Sequence, residues 1–216
     1  MKRETRLVLI IALLAITIIA IAVPTYAIWS GGSDVGGTAE VDLLDDITYR
    51  YLVLDGVTSA GKHFYMTYND AGYFTYNSSY NIYDEEVDTS ATTFSYISVI
   101  GYTGSLGEFE SLVIPDLISW KEGAGGDGQL HIGSQITRIN MQSPAAFPSL
   151  KGIKSVTIGE NVSKIEGVSF SFWPLLTDVY FKNMTSSEYS AAVLSGDVSA
   201  NAFKSSGSIT MHYSGA

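Results

Sequence analysis

A mainly β protein is what this sequence predicts: a small β region, then a short solenoid of about three coils, closed by a short capping helix. Three observations carry that expectation. Apolar positions in the second half recur at fixed offsets, short runs of β-branched and aromatic residues precede them, and helical periodicity is confined to one stretch near the C-terminus. The 216 residues suffice for one domain of ordinary size or two small ones, and a 46% hydrophobic content is enough to build a core.

The N-terminus reads as an address. Lys2, Arg3 and Arg6 precede Leu7–Val23, a run without charge in which only Thr17 is polar. Pro24 breaks the run, and Thr25-Tyr26-Ala27 supplies a small residue for cleavage. Residues 1–27 are therefore expected to be a signal peptide cut after Ala27, with an uncleaved membrane anchor through residues 7–23 as the alternative. Residues 28–40, with Gly31, Gly32, Gly36 and Gly37, read as a flexible leader.

Residues 41–93 read as an N-terminal β region. Ile47–Leu54 is a strand candidate ended by an Asp55-Gly56 turn. His63–Tyr68 is a second, joined through Asn69-Asp70-Ala71-Gly72 to Tyr73–Tyr76 as a hairpin, and Asn77–Asp88 is an acidic loop. Tyr49, Tyr51, Tyr65, Tyr68, Tyr73 and Tyr76 alternate along these strands. Exposed tyrosines supply contact area at little entropic cost, so these six are the candidate binding residues; alternation also implies that part of the set faces the core.

The second half repeats. Ile153, Val156 and Ile158 recur 23 positions later as Leu176, Val179 and Phe181. Val156, Ile158, Val162 and Ile165 map back onto Leu130, Ile132, Ile136 and Ile139 at an offset of 26. Phe170 maps onto Phe147, and a partial copy starts at Leu112-Val113-Ile114-Pro115. A period of this length marks a leucine-rich-repeat solenoid, in which each coil covers the apolar face its neighbour cannot bury alone. Thr185–Leu194, with Ser residues before a short apolar-periodic stretch and Gly196 after it, is the expected capping helix.

The run Leu150–Phe170, containing Ser155-Val156-Thr157-Ile158-Gly159 and Val162-Ser163-Lys164-Ile165, resembles the BspA-type leucine-rich repeat. The resemblance covers about residues 94–213. It makes Tyr96–Gly104 with Leu112–Pro115 similar to the opening hairpin of such arrays, and Thr177–Phe181 with Ala202–Tyr213 similar to the closing coil. Gly159 stands where that pattern has Pro, and Glu166 where it has Gly. The family implies an extracellular or cell-surface location and a role in adhesion or protein binding. Thr25-Tyr26-Ala27-Ile28-Trp29-Ser30 resembles the signal junction of biofilm-matrix and camelysin-like proteins, a resemblance that implies a bacterial or archaeal envelope and hints at matrix proteins.

Chemistry is sparse. The absence of cysteine excludes disulfides, thiolate metal sites and thiol nucleophiles. A net charge of −10 argues against nucleic acid as a partner, because phosphate recognition needs a basic patch. His63, His131 and His212 lie apart in sequence, without metal-ligand spacing, and read as exposed strand histidines. Gly123–Gly128 lacks the Lys-Ser/Thr of a phosphate loop and reads as a loop between coils. Asp84, Glu85, Glu86 and Asp88 lack calcium-loop spacing. No cofactor, metal or catalytic residue is expected. The sequence points to a non-catalytic binding protein whose partner is a protein or glycan on a cell surface or matrix, touching the membrane only through its N-terminal segment. The alternative is a structural subunit that self-assembles through strand edges.

Overall fold

The alternation read from residue 52 onward does form strands, and they build two sheets. The computed structural model describes residues 49–80, 85–103, 110–141, 152–204 and 208–214. The expected signal peptide, the leader and Phe147 lie outside the described residues.

The first sheet has eight strands: β1 (Leu52–Val57), β2 (His63–Tyr68), β3 (Phe74–Tyr76), β4 (Tyr96–Tyr102), β6 (Leu117–Lys121), β7 (Leu130–Gln135), β8 (Arg138–Ile139) and β10 (Lys164–Ile165). Their spatial order is β10-β8-β4-β1-β2-β3-β6-β7, and the sheet curls into a half-barrel. The second sheet has the order β12-β11-β9-β5, from β5 (Ser111–Val113), β9 (Ser155–Ile158), β11 (Asp178–Phe181) and β12 (Thr210–His212). Strands from both sides of position 93 share the eight-stranded sheet.

Parallel pairing puts repeat-equivalent residues side by side. Leu112, Val156, Val179 and Met211 stand in one row of the four-stranded sheet. Val99, Ile139 and Ile165 form a second row, extended by a bridge to Val198. All but Met211 are buried. Ile139 and Ile165 keep the 26-residue offset, and Val156 and Val179 keep the 23-residue offset. Phe170 is the expected core plug, fully buried and stacked on Phe203 with Trp173 at its edge. Burying such a side chain contributes about 1.5–3 kcal/mol.

Leu130 and Ile132 do not take the rows that their offset predicts. They sit on β7, which pairs antiparallel with β6, and are 44% and 79% exposed. Leu112 occupies the place opposite Val156 instead. The reason is a hairpin inserted between Asp116 and Ile136. Its neck is closed by a hydrogen bond from Ile136 N to Asp116 O at 3.2 Å, and its turn is the Gly-rich run 123–128. That run is therefore a hairpin turn rather than a loop between coils.

Three further expectations are corrected. Tyr49–Tyr51 is a 3-10 turn, and the strand starts at Leu52. Asp55-Gly56 lies inside β1; the chain turns at Thr58–Gly61, where Gly61 adopts φ 76°. Asp55 is held in the strand by His63, and Gly56 lies under the ring of Phe94, where a Cβ would meet ring carbons at 2.7 Å. β4 and β5 belong to different sheets, so residues 96–115 are not an opening hairpin.

The helix α1 (Ser186–Ser195) ends at Gly196 as expected, but Thr185 rather than a Ser is its N-cap. Thr185 caps it through a reciprocal box with Glu188, and Gly196 ends it at φ 85°. Tyr189 packs against Phe181 and Tyr213.

Candidate functional site

A groove of about 350 Å³ opens where β7 parts from β4. The divergence follows from chain direction. β7 stays paired with β6, but after Ile136 the chain joins β8, which pairs with β4. The wedge left between them is walled by Thr92, Thr93 and Ser95 on one side and by Ser134, Gln135 and Thr137 on the other.

Its floor is a stack of rings. Trp120 lies between Phe94, at 4.4 Å between centroids, and His131, at 4.2 Å and 8° from parallel. Register explains the pair, since Trp120 and His131 are direct cross-strand partners. A register slip follows, at Gly133, whose φ of 76° is the left-handed turn of a bulge. The slip brings Ser134 round to accept a hydrogen bond from Trp120 Nε1 at 3.0 Å. Glu122 fixes the other side of the His131 ring, Oε1 to Nε2, at 2.6 Å. Among the described residues, no Asp, Glu, Lys or Arg lines the groove. Chemically it offers hydroxyls and an amide, which both donate and accept, above an apolar base.

The six tyrosines lie elsewhere, and none lines this groove. Tyr65 is fully buried, which removes it as a contact residue. Tyr49 and Tyr68 pack edge to face with their hydroxyls 3.3 Å apart, beneath the guanidinium of Arg50. Tyr51 packs on Tyr102, Tyr76 on Phe64, and Lys121 sits over Tyr73. These five are half-buried and spread over four separate contacts.

No family model, curated protein or solved structure matches the chain.

The three histidines are half-buried rather than exposed, and they share a setting that spacing did not reveal. Each lies on a strand, pairs with a carboxylate and stacks on a ring: His63 with Asp55 and Tyr65, His131 with Glu122 and Trp120, His212 with Asp178 and Tyr180. Among the described residues no three His, Asp or Glu side chains form a metal-ligand set, and no helix is long and apolar enough to cross a membrane.

The groove residues were missed in the sequence because Thr, Ser and Gln at loop and strand ends carry no spacing signal. One signal was available elsewhere. An Asp inside Leu52-Val53-Leu54-Asp55-Gly56-Val57 is anomalous in a strand this apolar.

Proposed function

We propose that the protein is an exported, non-catalytic surface module that binds a neutral, hydroxyl-rich ligand, a glycan of a cell surface or matrix, in the groove between β4 and β7. The observation that carries this reading is the groove's composition: uncharged hydroxyl and amide walls over the Phe94–Trp120–His131 stack. Such walls satisfy sugar hydroxyls in both hydrogen-bond senses, and the lack of charge disfavours ionic ligands. The two parallel ladders support reading the scaffold as about three coils of a BspA-type leucine-rich-repeat solenoid, with the β6–β7 hairpin inserted in its first coil and α1 as its cap. The charge pattern before Pro24 supports export.

The test is a neutral-glycan array followed by titration of the hits. Binding that weakens tenfold or more in Gln135→Ala and Thr93→Ala, with an unchanged thermal midpoint, supports the reading. An array without hits, from protein that is folded, removes it.

A second reading, a self-assembling matrix subunit, is favoured by one feature. β7 ends the eight-stranded sheet with Ile132 largely exposed, and an open strand edge is a template for another chain. Sedimentation velocity at high concentration decides it: a monomer removes this reading, and large assemblies that Ile132→Lys dissolves support it.

A further inference from the structure

The face of the eight-stranded sheet opposite the row of Val99, Ile139 and Ile165 carries a largely polar row. Across β10, β8, β4, β1 and β2, the residues Lys164, Arg138, Ser98, Asp55 and Tyr65 stand opposite one another. A cavity of about 210 Å³ opens on this face. It shares only Tyr96 with the groove.

Two buried oxygens in its wall have no hydrogen-bond partner. Asp55 is 6% exposed; its Oδ2 meets His63 Nδ1 at 2.8 Å, but its Oδ1 is unmatched. Ser98, directly opposite Asp55 and 2% exposed, has an unmatched Oγ. Burial strips such groups of water without giving them a protein partner in return, so a ligand that donates to them is favoured. The neighbouring side chains are already engaged. His63 Nε2 reaches Glu85 at 2.5 Å, and Glu166 faces Lys164 at 3.4 Å and Arg138 at 3.8 Å. The cavity therefore has three carboxylates in its wall, and among the described residues no side chain donates to Asp55 Oδ1 or Ser98 Oγ.

We propose that this cavity binds the ammonium group of a small primary amine, with Asp55 Oδ1 and Ser98 Oγ as acceptors and Glu85 at the mouth. An ammonium carries three donors and no acceptor, and its bond to a carboxylate is charge-assisted. A bare metal ion fits less well. Both His63 nitrogens are held by carboxylates, and a space of this size accommodates a group of several heavy atoms. An anion would meet carboxylates on three sides.

The test titrates the full chain with 2-aminoethanol, and separately with ethylene glycol, its uncharged counterpart. The readout is the backbone amide resonances of Asp55, His63 and Ser98. Saturable shifts with the amine, none with the glycol, and at least tenfold weaker binding in Asp55→Asn support the proposal. Ser98→Ala, a smaller change, carries the test if Asp55→Asn does not fold. Gln135→Ala, in the glycan groove, leaves amine binding unchanged, so the two sites fail or stand independently. Equal shifts with both probes, no saturation, or displacement of the amine by micromolar Ca²⁺, Mn²⁺ or Zn²⁺ would overturn it.

Discussion

Gly159 and Asp116 meet just past the ends of the paired strands β9 and β5, with no room for a side chain between them. A Cβ on Gly159 would lie 2.6 Å from Asp116 Oδ1 and 2.8 Å from the carbonyl oxygen of Ile114. Asp116 Oδ1 also accepts the Glu160 amide at 2.6 Å, which holds the two segments together. This is the position where the resembling repeat has proline, so the departure has a packing cause.

Gly159→Ala is expected to destabilise the fold by about 1–3 kcal/mol, because the nearest obstacle besides the carboxylate is backbone. For a chain of this size that lowers the thermal midpoint by about 2–4 °C per kcal/mol. An unchanged midpoint in calorimetry would refute the close approach.

Ile158 and Ile132 occupy equivalent repeat positions in the sequence but opposite environments in the fold. Ile158→Ala should cost about 2–5 kcal/mol, as for other buried aliphatic truncations. Ile132→Ala should stay within about 0.5 kcal/mol. Chemical denaturation of the two variants checks this. Equal losses would restore Ile132 to the parallel rows.

The helix cap gives a local test. Thr185→Ala removes the acceptor of the Glu188 amide and half of the capping box. About 0.5–2 kcal/mol of stability should go with it, and faster hydrogen exchange at Ser187 and Glu188 locates the loss.

Burial raises the Asp55 carboxyl above its ordinary range, against the opposing pull of His63. The folded state therefore holds this proton more tightly than the unfolded chain does. The Asp55 contribution is fully present below the unfolded value near 3.8 and is lost as pH rises through the folded value. Denaturation midpoints measured across that window should show Asp55→Asn losing less stability than the parent as pH rises. A parent-like slope in the variant would remove Asp55 as the source.

The parallel rows were legible because residues that recur at a fixed offset also share an environment. Val156 and Val179 are register partners in one row, and both are buried. The hairpin was not legible, because Leu130 and Ile132 alternate as a buried strand does, and period-two alternation does not say which face is covered. Asp55-Gly56 misled for a related reason. Its turn preference is local, while the His63 partner and the Phe94 ring that keep it in a strand come from elsewhere in the chain. Of the candidate site, the tyrosine alternation gave a pattern but not a surface, and the groove depends on where two strands diverge, which composition does not encode.

The closed neck between Asp116 and Ile136 also sets an order of events during folding. The hairpin joins residues close in sequence, so it can form early. Ser111 must find Ser155 across everything between them, and such distant parallel pairing is slow. The inserted hairpin lengthens that span at small entropic cost once it is compact, since closure depends only weakly on loop length. A newly synthesised chain thus passes through an interval in which the hairpin is made while Leu112, Val156 and Val179 still face water, and in that interval chaperone protection is needed most.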